Sequence, residues 1–403
     1  MEANSQGSPT MRAGGRTRTL LELFAVSAKL GLTSFGGPIA HLGYFHDEYI
    51  VRRKWMDERN YADLVALCQF LPGPASSQVG IGVGIVRAGW LGGLIAWAGF
   101  TLPSVVIMTI FALLLQGADI ASAGWIHGLK IVAVAVVAHA LLGMGQKLAQ
   151  GRTLATVAVL AATAVLLWPT AYGQVLVIAA AGLAGLWLYR KEQPVAAEPV
   201  PIAISRKLAV GCLTLFAILL AGLPLLREIW DAKWLAMLDS FYRAGALVFG
   251  GGHVVLPLLE REFVPAWLGG DEFMAGYGAA QAIPGPMFTF ASYLGARADG
   301  VFGAAIATAG IFLPGFLLVA GALPFWYSLR RSPRIQGILT GVNAAVVGIL
   351  LAALYDPLWT TAIAAPADCA LALILFAMLA YWKLPSWAVV LTGAAGGVLL
   401  GWI

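Results

Sequence analysis

Charge is what this sequence has least of. Asp, Glu, Lys and Arg make up 11% of its 403 residues, against about 25% in a soluble domain, which excludes a water-soluble globular protein. Cysteine is nearly absent. Cys68, Cys212 and Cys369 stand far apart and share no ligand spacing with histidine or with one another, so neither a disulfide framework nor a zinc signature is present. No G-x-x-x-x-G-K-[ST] run occurs, and ATP therefore does not drive the chain directly. The lack of an H-E-x-x-H helix or a redox-cofactor motif counts against an intramembrane enzyme. A formal charge of +5 does not point to nucleic acid, because the basic residues sit in short loops and form no stripe. No catalysis, cofactor or metal is expected.

Apolar length fills the space instead. Runs on the scale of the roughly 20 residues that cross a bilayer recur at 91–115, 126–148, 175–189, 208–226, 301–325 and 388–403. Tryptophans such as Trp55, Trp125, Trp168, Trp187, Trp230, Trp359 and Trp387 fall near the run ends, as interfacial anchors do. Residues 1–19 are polar and basic without a cleavage-type ending, and read as a disordered cytoplasmic tail. The fold class is an all-α polytopic membrane protein.

An internal repeat organises it. "LPGPAS" at Leu71–Ser76 returns as "IPGPMF" at Ile283–Phe288, Gln69 as Gln281, Pro103 as Pro314, and "SFGGP" from Ser34 as "VFGGG" from Val248. Offsets stay between 210 and 214 (Phe35 to Phe249 is 214, Pro103 to Pro314 is 211). The division is a first repeat at 20–189, a linker at 190–207, a connecting transmembrane helix at 208–226, and a second repeat at 234–403. Matched loops carry opposite charge bias. Arg52, Arg53, Lys54 and Arg59 face a partner loop with only Arg261, whereas the uncharged-basic loop at 116–124 faces Arg330, Arg331 and Arg334. Two copies inserted in opposite orientations would show this pattern.

Each repeat also writes two breaks into apolar sequence, Gly36-Gly37-Pro38 and Pro72-Gly73-Pro74 in the first, Gly250-Gly251-Gly252 and Pro284-Gly285-Pro286 in the second. If the broken segments dip in and return, nine full crossings and four re-entrant segments place every loop on its preferred side; counting every run as a crossing gives thirteen. Unwound backbone at membrane depth is tolerated only where protein or a water-filled cavity satisfies it. Transporters use it, since freed helix N-termini attract anions near the bilayer centre. Candidate substrate-binding residues are therefore Phe35, Gly36, Gly37, Pro38, Gln69, Pro72, Gly73, Pro74, Ser76, Ser77, Phe249, Gly250, Gly251, Gly252, Gln281, Pro284, Gly285, Pro286 and Thr289. Lys29 and Arg243, six residues before Phe35 and Phe249, are repeat-equivalent cations that could hold an anion or anchor at the interface. His41, His253, Glu48 and Glu262 are the candidates for proton coupling, with packed histidines and paired carboxylates as the alternative.

These motifs, "SFGGPIAHL", "ALCQFLPGPASSQVGI", "FGGGHVVLPLL" and "AAQAIPGPMFTFASYLGA", closely resemble those of the chromate ion transporter family in its long two-domain form, over roughly residues 20–400. The resemblance implies a multi-pass protein of the bacterial inner membrane that expels chromate, confers resistance and draws on the proton-motive force. Sulfate, a near-isosteric dianion, is the alternative substrate, and an anion channel the alternative mechanism. Rocking of one half against the other would alternate access. Lipid and the oxyanion are the expected partners; the oligomeric state stays open, with a homodimer as one candidate.

Overall fold

The computed structural model describes residues 13–35, 37–116, 124–168, 170–189, 205–249, 252–326 and 332–401. Among them there is helix and no strand. The first repeat contributes α1 (Ala13–Thr33), α2 (Gly37–Phe45), α3 (Glu58–Phe70), α4 (Ala75–Leu114), α5 (Gly124–Leu148), α6 (Gly151–Leu167) and α7 (Ala171–Tyr189). A connecting helix, α8 (Arg206–Ile229), follows. The second repeat contributes α9 (Lys233–Leu247), α10 (Val255–Phe263), α11 (Gly270–Ala280), α12 (Phe290–Ala322), α13 (Pro333–Ala353), α14 (Pro366–Ala380) and α15 (Ser386–Leu400). Residues 13–19, expected in the tail, belong to α1, whereas most of the expected linker lies outside the described residues.

Among the described residues, five stretches are long and apolar enough to cross a membrane, namely α4, α5, α8, 287–325 and 333–362. Four shorter apolar helices, α6, α7, α14 and α15, accompany them. Two of the long stretches, α4 and 287–325, double back on themselves. At Ala88–Gly89 in α4 and Asp299–Gly300 in α12 the backbone leaves helical angles, with Gly89 at φ 69° and Gly300 at φ 58°. Each chain reverses there into a tight hairpin: Gly84 packs on the backbone of Gly92, and Gly295 on that of Gly303. Only glycine permits helix arms to touch so closely.

The breaks expected from the sequence interrupt the helices. α1 stops at Thr33 and α2 starts at Gly37; α3 stops at Phe70 and α4 starts at Ala75; α9 stops at Leu247; α11 stops at Ala280. The segments dip in and come back. Arg53 beyond α2 reaches back to Glu22 of α1 at 2.8 Å. Trp55, just before α3, lies 4.1 Å under the guanidinium of Arg87 at the tip of the α4 hairpin. The second repeat repeats the arrangement, with Lys233 beside Asp299 and over Trp267, and Arg297 paired with Glu272.

The second arms of α4 and α12 run antiparallel. Down the second arm of α4, Trp90 meets Phe316 and Trp97 meets Phe312, while Arg297 near the α12 hairpin tip donates to the carbonyl of Ala112. The repeats also trade partners. α5 of the first packs on α15 of the second through Gly124 and Gly128 against Gly397 and Gly393, and α13 packs on α7 through Gly337 and Gly341 against Gly185 and Ala181. The two halves are interleaved. A rocking motion of one whole half against the other, as expected from sequence, would tear these glycine seams apart.

A Cβ at Gly128 would enter the carbonyl of Gly393, whereas one at Gly143 meets nothing within 4 Å. Gly128→Val is expected to destabilise the protein by about 1–3 kcal/mol, as overpacking does, and Gly143→Ala to leave the detergent-solubilised melting midpoint unchanged. Equal midpoints for both variants would contradict the seam.

Candidate functional site

Unwound backbone leaves N–H and C=O groups that lipid cannot satisfy. Here each break satisfies the other repeat's break. The amide of Gly285, in the second Pro-Gly-Pro, donates to the carbonyl of Ser34 at 2.9 Å, and the amide of Gly73, in the first, donates to the carbonyl of Val248 at 2.7 Å. Two crossings result, one per repeat pair. Gly73 and Gly285 hold φ of 114° and 95°, which turns their amides outward at angles that side-chain-bearing residues avoid.

Side chains fasten the crossings. Ser104, next to the kink-forming Pro103, donates to the carbonyl of Pro284 at 2.7 Å. The amide nitrogen of Gln78 donates to the carbonyl of Pro72 at 2.9 Å and approaches that of Gly315 at 3.3 Å. Helix approach is close enough that a Cβ on Gly31 would come within 2.6 Å of the Phe100 carbonyl. α2 and the first arm of α4 both begin at a break, so their free N-terminal amides open toward it.

Buried hydroxyls lie near the breaks. Ser34, Ser77 and Thr101 are fully or almost fully buried, and their oxygens have no hydrogen-bond partner among the described residues. Nδ1 of buried His41 lies 3.2 Å from the Ser76 oxygen; the ring also sits beside the Ser34 backbone and edge-on to Phe100. In the second repeat, His253 contacts the Tyr277 hydroxyl at 2.8 Å, and the Thr289 hydroxyl donates to the Pro286 carbonyl at 2.8 Å. Gln281 is buried with its amide toward Met287 and the Tyr277 carbonyl, while its equivalent Gln69 is exposed. Phe35, Pro38, Pro72, Phe249 and Pro284 are half-buried at the breaks, and Pro74, Gly252 and Pro286 buried. Gly36, Gly250 and Gly251 lie outside the described residues.

The two cations differ from expectation. Arg243 gives Nε and Nη2 to Asp239 at 3.0 and 2.8 Å, and Nη1 to Glu262 at 3.0 Å, so its fork is already filled. Lys29 is half-exposed and pairs with buried Glu48 at 2.9 Å. Lys29–Glu48 and Arg243–Glu262 are equivalent pairs, and each ties the outgoing break helix to the segment that returns from it. Sequence reasoning named all four residues and gave paired carboxylates as an alternative, but not these partners, because they are 19 positions apart and meet only once the chain doubles back. Glu48 also takes Arg53 at 2.9 Å, and Glu262 takes Ser240 at 2.8 Å. Outside the membrane-spanning segments, half-buried His46 meets Glu58 at 2.8 Å, and that hydrogen bond raises the imidazole pKa above its ordinary value. Among the described residues no group of three His, Cys, Asp or Glu is placed to hold a metal.

Paired breaks crossing inside interleaved helical repeats define a polytopic membrane protein of transporter type. A family model described as Chromate transporter matches residues 21–186 and 235–398, both repeats. The chain belongs to that family. It is 30% identical to a chromate transport protein of Pseudomonas aeruginosa, over 95% of this chain and 92% of the relative. A chromate transport protein of Cupriavidus metallidurans is 27% identical, over 97% of each. An uncharacterized transporter of Methanocaldococcus jannaschii is 28% identical over 82% of this chain and 83% of its own. No solved structure matches.

Asp239 is 1% exposed, and removing its partner strands a buried charge. Arg243→Ala is expected to cost about 3 kcal/mol, the low end for a broken buried pair, because Arg227 remains 3.4 Å away. Adding Asp239→Asn and Glu262→Gln to Arg243→Met should recover most of the melting temperature. A triple variant no more stable than Arg243→Ala would show that the pairing is not what holds this corner.

Proposed function

We propose that this protein is a secondary transporter that exports chromate across the bacterial inner membrane, confers resistance to it and is driven by the proton-motive force. Membership in the chromate transporter family supports the substrate class. The observation that carries the mechanism is the pair of crossed breaks. At each, unwound backbone is buried between helices and a helix N-terminus opens toward it. Amides and helix dipoles at such a place favour an anion. Antiparallel running of the second arms of α4 and α12 supports opposite insertion of the repeats, with nine crossings and four re-entrant segments.

Chromate would be held by the break backbone around Gly37 and Gly285 and by the hydroxyls beside it. Lys29 and Arg243 brace the dips through their carboxylates and attract the anion from a distance. His41 is the candidate proton carrier at the first crossing, and His253 with Tyr277 in the second repeat. Because the halves are interleaved, the bodies that move are not the sequence halves. The break-bearing segments with α4 and α12 form one body. The other is the panel of α5, α6, α7, α13, α14 and α15, drawn from both repeats. Sliding of the first past the second would expose the crossings to each side in turn.

Inverted membrane vesicles containing the protein should accumulate chromate when their interior is acidified. A protonophore should abolish the accumulation and sulfate should compete with it. Chromate that equilibrates without accumulating, with a flux insensitive to the pH gradient, would overturn proton-driven export; a conductance carrying that flux would identify a channel.

A further inference from the structure

The two crossings are equivalent by the repeat and opposite in chemistry. At offsets of 214, Ser34 corresponds to Val248 and His41 to Val255; at 212, Ser76 corresponds to Phe288; at 211, Thr101 corresponds to Phe312 and Ser104 to Gly315. Every polar member of these pairs lies in the first repeat. Ser77 corresponds to Thr289 at 212, and here too the partners differ: the Thr289 hydroxyl is used up on the Pro286 carbonyl, whereas that of Ser77 is buried and unpartnered. Val248, Phe288 and Phe312 are buried in one apolar cluster, with the rings of Phe288 and Phe312 6.1 Å apart.

We propose that each chain binds a single oxyanion, at the crossing of Ser34 with Gly285, through the hydroxyls of Ser34 and Thr101. The other crossing, where the Gln78 side chain already bridges the carbonyls of Pro72 and Gly315, binds no substrate. This rests on the oxyanion reading above. A buried hydroxyl without an acceptor is costly, and two of them stand in residues that border the same crossing. Ser34 gives its carbonyl to Gly285. Thr101 follows Phe100, whose carbonyl lies 3.4 Å from where a Cβ on Gly285 would stand. A fully deprotonated tetrahedral oxyanion offers acceptors on every side and no donor, which matches hydroxyls and helix N-termini together. Apolar side chains at the mirrored positions offer a dianion nothing, and desolvating it there would go uncompensated. The duplication therefore keeps the symmetric backbone at both crossings and the ligand chemistry at one.

Calorimetric titration of the purified full-length protein with chromate, and with sulfate as a probe that oxidises nothing, tests this. One anion per chain is expected. Thr101→Val should weaken binding by about tenfold, the scale of one hydrogen bond to a charged group, and Thr101→Ser should restore it. Phe312→Leu at the mirrored position should leave affinity unchanged, all variants keeping the native gel-filtration profile and melting curve. Two anions per chain, equal losses in Phe312→Leu and Thr101→Val, or failure of Thr101→Ser to restore affinity would overturn the single-site assignment while leaving an oxyanion transporter standing. A folded native protein that binds neither anion would remove the oxyanion reading itself, and this inference with it.

Discussion

Everything in this fold follows from the need to satisfy peptide groups where water cannot reach them. A helix satisfies its own backbone, and a break does not. The protein places four breaks in its interior and makes the tip of one repeat the hydrogen-bond partner of a tip in the other, Gly285 to Ser34 and Gly73 to Val248. Neither repeat could keep its breaks alone. The duplication is thus a physical requirement of the site, because each copy supplies the acceptor that the other copy's strained glycine needs.

That dependence explains where the small residues lie. Tips reach one another only if the helices carrying them nearly touch, and Gly31 against Phe100 and Gly245 against Ile311 allow it. The seams of α5 with α15 and α13 with α7 use the same device farther out. In lipid, where apolar side chains gain little by meeting, close backbone approach is the main source of helix association. The outcome is a molecule whose two sequence halves interleave.

Charge is spent sparingly and in matched places. Lys29–Glu48 and Arg243–Glu262 close the mouths of the two dips, with Glu22, Arg53 and Arg87 forming a further network in the first repeat. Fixed cations are thereby kept out of the crossings themselves.

The sequence by itself determined the class, the duplication and the positions of the breaks. Scarce charge, recurrent apolar runs and offsets of 210 to 214 are properties of composition and periodicity, and Gly-Gly-Pro and Pro-Gly-Pro stop a helix wherever they fall. Tertiary structure decided what those breaks face. Nothing local in Ser34 announces that its carbonyl meets Gly285 across 251 positions (285 − 34), or that Arg243, a plausible anion fork when read alone, is filled by Asp239 and Glu262. The reversals at Gly89 and Gly300 fall just before the apolar runs at 91–115 and 301–325, but their tight hairpin form was not legible, since a positive φ at one glycine leaves no periodic trace. Pairing across the chain depends on how the dips fold back and interleave, and periodicity carries no information about that.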